Sequence, residues 1–480
     1  MNKKMIIYTL GKILEIEAAL LLIPFGVGLI YGESQGLAFL EVATLCLLVG
    51  FLISHKTPEN KNIYAKDGFV IVALAWIVIS LFGALPFVIN GDIPSYVDAV
   101  FETISGFTTT GSSILPNIEA LSHASLFWRS FAHWIGGMGF LVFVLAFLPL
   151  ANGRSVHIMK AEMPGPVVGK LVSKVKVTSQ ILYIIYGVIT LAECVLLMFG
   201  GMPLFDALIT SFGTAGTGGF AVKNASIAAY DSAYIDYVIT IFMIIFGVNF
   251  NLYFLIVVGK IKDALKSEEL HWYFGIIASF TLVITLNIMH LYNGSFMTAF
   301  RYAFFQVGSI MTTTGFVTAN FETWPMLSQI LLVALIFCGA MAGSTGGGMK
   351  VSRIVMAIKH GKAELAKMIH PRSVQVVKFE NQPVDDSVIH TLASYFILYA
   401  LVFVLSMLVL SLSNLDFTSI FTAVATCLNN VGPGLGVVGP VNNFATLTDY
   451  SKIILCFDML AGRLEIFPMV IIFSKSLWSN

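Results

Sequence analysis

The sequence predicts an all-α membrane protein of four tandem repeats, each a helix, a half-helix and a second helix, preceded by two extra N-terminal transmembrane helices. Three observations lead to this prediction. The chain is 57% hydrophobic and only 11% charged, whereas an ordinary soluble domain is roughly 25% charged. Ten hydrophobic runs are long enough to cross a membrane. Four polar loops that contain glycine recur between those runs at matching places.

The ten runs set the predicted number of membrane spans, because a spanning helix needs about 20 predominantly apolar residues. They lie at residues 6–31, 36–54, 68–90, 127–150, 178–200, 234–259, 272–292, 326–349, 388–412 and 450–474. The first run is longer than the apolar core of a signal peptide and lacks a small-x-small cleavage site. We therefore interpret it as a retained helix.

The charges balance, with 27 basic and 27 acidic residues, so no polyanionic partner such as nucleic acid is implied. Their distribution is uneven. Basic residues concentrate in every second connection, and Lys223 and Arg301 are the main exceptions. Under the positive-inside rule, this alternation predicts that both termini are cytoplasmic. The five cysteines lie in apolar surroundings without paired spacing, which predicts reduced packing residues.

The connections poor in basic residues are long, and each holds a short amphipathic helical stretch followed by a polar stretch with glycine. They read YVDAVFETISGFTTTGSS, LFDALITSFGTAGTGGFAV, FRYAFFQVGSIMTTTGFVT and FTSIFTAVATCLNNVGPGLG. With Gly111, Gly219, Gly315 and Gly432 as the shared position, subtraction gives separations of 108, 96 and 117 residues. This regularity indicates an internal repeat. The predicted units are a leading helix pair at 1–60 and repeats at 61–155, 156–265, 266–380 and 381–480.

Irregular backbone at membrane depth is tolerated where it lines water or is buried in protein, because its polar groups need partners. Four such loops around one axis direct four sets of carbonyl oxygens to one place, where they replace part of the hydration shell of a cation. Glycine lets the backbone turn there, and the C-terminal ends of the half-helices favour positive charge. The alternative, that the glycines are kinks or packing points, does not explain four matching positions. The repeats are therefore interpreted as helix–pore-helix–helix units around one pseudo-fourfold pore.

Together with HWIGGMGF (133–140), AGSTGGGMKVSRI (342–354) and CLNNVGPGLGVVGP (427–440), these loops resemble the Trk/Ktr/HKT superfamily of potassium transporters over essentially the whole chain. The two leading helices make the chain most similar to the bacterial Trk type. The resemblance implies a potassium-binding filter with one glycine per repeat, and matching TGGF (217–220) to TTGF (313–316) selects Gly219 over its glycine neighbours. Serine at the first filter position is associated with sodium permeation in related members, so Gly111 favours potassium. The implied filter residues are Thr110, Gly111, Gly218, Gly219, Thr314, Gly315, Val431 and Gly432.

A glycine-rich break interrupts the hydrophobic run that begins near Met326. Its residues have poor helix propensity, and a broken helix must satisfy its freed backbone groups in water or against protein. The resemblance implies an intramembrane gating loop at 342–350 that obstructs the pathway. A phosphate-binding loop is the rival interpretation, but the spacing is one residue too long and no strand precedes it. The implied gate residues in this loop are Gly343, Ser344, Thr345, Gly346, Gly347, Gly348 and Lys350.

Arg463 lies near the middle of the last hydrophobic run. A charge there costs at least about 2.5 kcal/mol on insertion scales, so such a residue faces water or is paired. One hypothesis is an ion pair with Asp458 or Glu465. The other, which the resemblance implies, places Arg463 beside the gating loop as a barrier to a permeating cation. Glu193, in the fifth run, has no evident partner.

Acidic residues near the predicted outer mouth are candidates for raising the local cation concentration, and Glu102 is the strongest because it lies in the first half-helix. Solvated loop acids are the simpler interpretation. The full set is Asp92, Asp98, Glu102, Glu119, Asp206 and Glu322.

The predicted function is potassium uptake across the bacterial inner membrane, driven by the membrane potential, with rubidium also permeant and no bound cofactor. A symporter that couples potassium to protons or sodium remains the alternative; a proton relay would need mid-membrane titratable groups, and Glu193, Asp458 and Glu465 are isolated. A membrane enzyme is disfavoured because no HExxH or GxSxG motif occurs. The resemblance further implies a homodimer and a cytosolic nucleotide-binding regulatory ring protein, for which segments 151–177 and 359–385 are predicted docking surfaces.

Overall fold

The computed structural model describes residues 1–60, 62–139, 175–373 and 375–475, and these residues are predominantly α-helical. A two-residue pairing of Lys378–Phe379 (β1) with Gln382–Pro383 (β2) is the one β ladder within those ranges. The observed fold is thus of the predicted all-α class. The end of the predicted fourth span, nearly all of the docking segment 151–177 and the boundary between the first two repeats lie outside the described residues.

Two long helices, α1 (Lys3–Tyr31) and α2 (Leu37–Ser54), come first and pack along each other. Small residues allow this close approach: a Cβ on Gly11 would lie 2.9 Å from the carbonyl oxygen of Gly50. Membrane helices commonly associate through such small-residue contacts.

The rest of the chain follows a recurring order of long helix, half-helix and second helix. The long helices are α3 (Ala65–Gly83), α7 (Val175–Phe199), α12 (Glu268–Ile288) and α16 (Asp386–Leu410). The half-helices are α5 (Tyr96–Phe107), α8 (Leu204–Gly216), α13 (Phe296–Met311) and α17 (Phe417–Asn429). The second helices are α6 (His123–Gly137), α9 (Ala233–Phe246), α14 (Met326–Cys338) and α18 (Asp449–Arg463). The remaining helices are α4 (Leu85–Ile89), α10 (Phe250–Val257), α11 (Ile261–Leu265), α15 (Val351–Ile369) and α19 (Phe467–Ile472).

Half-helices and second helices alternate in a closed ring. Each second helix packs against its own half-helix and against the next one in the chain, in the order α5, α6, α8, α9, α13, α14, α17 and α18, and α18 returns to α5. The half-helices are consequently buried along most of their length. This closure brings the four polar loops that follow the half-helices to one place.

Within the described ranges, six helices are long and apolar enough to cross a membrane, or seven if the bent pair α9 and α10 counts as one span. The other predicted runs are interrupted or extend beyond the described residues, so the number of ten spans stays a prediction. The run at 234–259 is bent by 90° between α9 and α10. The run at 326–349 is helical only to Cys338, and the run at 450–474 breaks between Arg463 and Phe467. Breaks therefore occur in the second helices of three repeats, whereas the sequence predicted one. The hydrophobic pattern did not reveal the other two because Gly247 and the positive-φ pair Glu465 and Ile466 interrupt the helices without a polar run.

Candidate functional site

The four polar loops leave their half-helices with the same backbone conformation. One residue in each loop is left-handed, with φ of 57° at Thr109, 55° at Thr217, 60° at Thr313 and 55° at Asn430. Left-handed backbone is uncommon for residues with a side chain. Four occurrences, each two residues before a glycine of the predicted shared position, show that the loops are structurally equivalent.

Backbone hydrogen bonds repeat in the same register. The amide after each left-handed residue donates to the carbonyl five residues before it, as in a Schellman helix end. The donor to acceptor distances are 2.9 Å for Thr110 to Ser105, 2.8 Å for Gly218 to Gly213, 2.8 Å for Thr314 to Ser309 and 2.9 Å for Val431 to Thr426. Gly219 is thereby the structural counterpart of Gly111, Gly315 and Gly432, as the match of TGGF to TTGF predicts.

These four glycines, here called the glycine ring, contact one another in chain order. A Cβ on Gly111 would lie 2.5 Å from the amide nitrogen of Gly219, and one on Gly219 would lie 2.7 Å from the carbonyl oxygen of Thr314. A Cβ on Gly315 would overlap the carbonyl of Val431, and one on Gly432 would lie 2.9 Å from the carbonyl oxygen of Thr110. Real Cβ atoms essentially never come within 3.0 Å of another heavy atom. The close approach of the four loops therefore requires glycine at these positions.

One face of the glycine ring opens into a cavity of about 90 Å³. All four ring glycines line it, together with Lys223 and segments that lead from the loops into the second helices. Each half-helix ends just before its ring glycine, so its C-terminal end lies next to the ring. Such ends carry partial negative charge. The arrangement therefore suits a positively charged ligand at the ring.

The predicted gating loop 342–350 lies against the opposite face. The Gly347 amide donates to Thr313 Oγ1 at 2.6 Å, and the Gly348 amide donates to the Asn429 carbonyl at 3.0 Å. Gly346 is close to the third polar loop, because a Cβ there would lie 2.9 Å from the carbonyl oxygen of Thr312. The loop thus packs under the ends of the third and fourth half-helices.

Other bonds attach the loop to the rest of the ring of helices. Thr345 Oγ1 donates to the Phe246 carbonyl at the end of α9 at 3.2 Å, and the Gly343 carbonyl accepts from the Phe250 amide at 3.0 Å. Lys350, with φ of 76°, donates through Nζ to the Gly346 carbonyl. The loop is therefore held on several sides, with its own lysine folded back onto its glycines.

Arg463 joins this loop to the first repeat. Its Nη1 donates to the Thr345 carbonyl at 2.8 Å and to Thr109 Oγ1 at 3.3 Å. Its Nη2 donates to the Gly137 carbonyl at 2.6 Å and to the Gly136 carbonyl. A cation at the C-terminal end of α6 is also favoured by the helix dipole. Arg463 and the glycine-rich loop 342–350 are therefore in direct contact.

The sequence and the fold match one family of membrane proteins. A family model described as a cation transport protein, TrkH, matches residues 36–480. This chain belongs to the TrkH family. The Trk system potassium uptake protein TrkH of Salmonella typhimurium is 37% identical over 484 residues, with all of both chains covered. TrkG of Escherichia coli is 31% identical over 481 residues, with 99% of each chain covered. The crystal structure of the potassium transporter TrkH from Vibrio parahaemolyticus matches with a TM-score of 0.90 at 35% identity and covers all of both chains.

Membership of the TrkH family confirms the predicted superfamily, its bacterial Trk type and the membrane fold. Two alternatives raised by the sequence fit this TrkH-family structure poorly. The carboxylates offered as partners for Arg463 have other contacts, since Glu465 pairs with Arg353 and Asp458 accepts a hydrogen bond from Ser406 at 2.7 Å. A phosphate-binding loop at 342–350 would follow a strand, whereas α14 precedes it.

The predicted role of Glu102 as a mouth acid is wrong, because its side chain is fully buried. Its Oε1 lies 2.7 Å from Arg129 Nη2 and accepts from Ser113 Oγ at 2.9 Å, while its Oε2 accepts from the Ile114 amide. The Arg129 guanidinium lies 4.1 Å from the centre of the Phe220 ring. Glu102 and Arg129 therefore contact the first two polar loops on their buried side and stabilise them there.

Several of the other acids are likewise engaged. Asp98 pairs with Lys452 at 2.6 Å, Asp206 accepts from the Tyr230 hydroxyl at 2.7 Å, and Glu322 accepts from the Gly436 amide. These contacts hold the segments around the cavity together. The role of Glu102 was predicted wrongly because its position in the sequence does not show which side of the half-helix α5 faces the protein interior.

Replacing Glu102 by glutamine is expected to lower the free energy of unfolding by about 3–5 kcal/mol, because the buried Arg129 loses its counter-charge. Thermal or denaturant unfolding of the purified protein in detergent measures the change. Glu364→Gln is the matched control, since the pair of Glu364 with Lys367 has side chains 43% and 46% exposed and such pairs contribute about 0–1 kcal/mol. If Glu102→Gln lowers the free energy of unfolding no more than Glu364→Gln does, the stabilising role of the pair would be contradicted.

Sequence reasoning missed two residues of α6 that contact the loops, Arg129 and His133. His133 belongs to the motif HWIGGMGF, and the sequence pattern did not indicate a role for it. The available signal was a pair of polar residues four apart in an otherwise apolar helix, which lie on one helix face. Glu193 is buried in α7 beside Thr214 of the second half-helix. All five cysteines are buried and free, as predicted.

Proposed function

We propose that this protein carries potassium into the cell through the glycine ring, with the chain's four polar loops acting as one selectivity filter. The observation that carries the proposal is the cyclic contact of the four loops, in which ring glycines abut the carbonyls of Thr110, Thr314 and Val431. Backbone carbonyls around one axis replace the water of a hydrated cation. The relatives TrkH and TrkG, which are named potassium uptake proteins, support the same substrate.

Gating is proposed to reside in loop 342–350 and Arg463. The loop lies across the inner side of the ring, and Arg463 places a positive charge next to it through the Thr345 carbonyl. A permeating cation that has left the ring meets this backbone and this charge. Gly343 and Gly348 have φ of 73°, and such glycines allow the loop to take up a second conformation at small cost. Opening is thus a displacement of the loop and of the Arg463 side chain.

The proposed setting is the bacterial inner membrane with both termini cytoplasmic, as the distribution of basic residues predicts. The membrane potential then drives inward movement with about 2.3 kcal/mol per 100 mV for each charge. The four repeat boundaries are proposed from the spacing of the polar loops, and rubidium is proposed as a second permeant ion. The resemblance supports two further proposals, a homodimer and a cytosolic nucleotide-binding ring protein that docks on segments 151–177 and 359–385.

The alternative of a proton- or sodium-coupled symporter would need a connected set of titratable groups. Among the residues that the structure describes, the three acids in question have separate environments. Glu465 pairs with Arg353, Asp458 bonds to Ser406 and Glu193 lies beside Thr214. This separation favours passive flux through the ring.

The deciding experiment measures cation flux in proteoliposomes under an imposed potassium diffusion potential, with potassium, rubidium and sodium compared at matched pH. Potassium and rubidium flux well above sodium flux, without any proton or sodium gradient, is the expected result. Flux that requires such a gradient would move the assignment to a symporter. Equal flux of all three ions would contradict the filter.

A further inference from the structure

His133 of α6 lies between the first and second polar loops and is fully buried. Its Nδ1 is 2.7 Å from the Gly106 carbonyl oxygen, and its Nε2 is 3.3 Å from the backbone nitrogen of Phe220. A carbonyl can only accept and a backbone N–H can only donate, so these partners assign the proton to Nδ1 and the lone pair to Nε2. The neutral imidazole therefore connects the first half-helix to the residue that follows Gly219.

The second polar loop lacks side chains that two other loops possess. In the first loop the Thr108 and Thr110 hydroxyls bond to each other at 2.8 Å, and in the third loop Thr312 and Thr314 do so at 2.7 Å. The equivalent positions in the second loop are Gly216 and Gly218. That loop therefore has no hydroxyl pair to hold the residue before its ring glycine.

The imidazole of His133 occupies the space where a side chain at 218 would begin. A Cβ on Gly218 would lie 2.5 Å from Nδ1 and 2.6 Å from Cγ of the ring. Phe220 packs on the same imidazole with ring centroids 4.3 Å apart. His133 thus contacts the second loop on both sides of Gly219, at Gly218 by packing and at Phe220 by a hydrogen bond.

We propose that His133 is a positioning residue for ion selectivity: its imidazole replaces the missing hydroxyl pair and fixes the backbone of the second filter segment at Gly218. This inference rests on the proposed function, because it assumes that cations pass the glycine ring. In such a filter the backbone carbonyl oxygens take the place of the hydration shell of the ion, so their number and placement set which ion is favoured. A loop that loses its support discriminates less between potassium and sodium.

The test is a double-variant comparison of His133→Ala, Gly218→Thr and the two together, read as the potassium-to-sodium flux ratio in proteoliposomes. His133→Ala is expected to lower the ratio about tenfold, which corresponds to about 1.4 kcal/mol. Gly218→Thr alone is expected to lower the ratio at least as much, because the threonine side chain would overlap the imidazole. In the double variant the threonine has room and restores the hydroxyl-bearing residue of the first and third loops, so we expect at least half of the loss, on a logarithmic scale, to be recovered.

An unchanged ratio in folded His133→Ala would overturn the proposal, and so would a double variant whose loss is the sum of the two single losses. If His133→Ala does not fold, His133→Gln takes its place, because its amide keeps a donor and an acceptor but removes the ring from Gly218. A reduced ratio in this variant supports the proposal and a wild-type ratio overturns it. Failure of the proposed function is recognised separately, since the unaltered protein would then show no preference for potassium.

Discussion

Gly111→Ser is expected to lower the potassium-to-sodium flux ratio about tenfold or more, equivalent to about 1.4 kcal/mol of discrimination. Two physical effects act together. Gly111 has φ of +78°, a conformation that costs a residue with a Cβ roughly 1–2 kcal/mol. The new Cβ would also lie 2.5 Å from the amide nitrogen of Gly219. The second loop must therefore move, and the spacing of the ring carbonyls changes with it.

Gly91→Ser is the control that separates these two effects. Gly91 has φ of +81°, close to that of Gly111, but no heavy atom lies within 4 Å of its would-be Cβ. Gly91→Ser should lower the free energy of unfolding by about as much as the positive φ costs in Gly111→Ser, and it should leave the potassium-to-sodium flux ratio unchanged. The measurement is potassium, rubidium and sodium flux in proteoliposomes under the same diffusion potential for all three proteins. Loss of selectivity in both variants would assign the effect to general destabilisation, and retention in both would remove Gly111 from the filter.

Arg463→Ala is expected to raise potassium flux about tenfold over the unaltered protein in the absence of any regulator. The substitution removes the charge beside loop 342–350 and the hydrogen bond that ties the Thr345 carbonyl to α18. Both changes lower the barrier on the inner side of the ring. Arg463→Lys keeps the charge but not the planar donor fork, so we expect an intermediate flux.

Arg301→Gln serves as the control for loss of a partly buried arginine, because Arg301 pairs with Asp236 at 2.7 Å and makes none of the contacts described for the gating loop. Its flux should stay within about twofold of the unaltered protein, as the membrane potential and the filter are unchanged. Unfolding curves in detergent establish that each variant is folded. Unchanged flux in folded Arg463→Ala would contradict the gate and leave Arg463 as a structural link between α6 and α18.

Cross-linking gives an independent measure of the same gate. A disulfide that joins loop 342–350 to the third polar loop, where Thr313 Oγ1 accepts from the Gly347 amide at 2.6 Å, should abolish flux when it forms. One cysteine replaces Thr313 and the other a residue of the loop other than Gly347, because a Cβ on Gly347 would overlap the Asn429 carbonyl. Reduction of the disulfide should restore the flux of the unlinked variant.

Composition and local pattern were sufficient for the membrane class, for the four-loop register and for the position of the glycine-rich loop 342–350. Hydrophobic length is a local property, and the turns at Gly111, Gly315 and Gly432 have positive φ, which glycine adopts without a steric penalty. The second loop was assigned correctly even though Gly219 shares its neighbourhood with two other glycines. The short second helices were harder to predict, since a single glycine or an irregular pair of residues ended them inside hydrophobic sequence.

The sequence alone thus determined which residues enter the polar loops and that four of these loops are equivalent, because backbone conformation near glycine is set locally. Only the tertiary structure decided what those loops touch. Glu102 bonds to Arg129 over a separation of 27 residues, the Phe220 amide to His133 over 87, and Arg463 to Thr345 over 118. No periodicity records such distant pairings. The closed ring of half-helices and second helices brings these residues together. It thereby also creates the buried contacts that stabilise the polar loops.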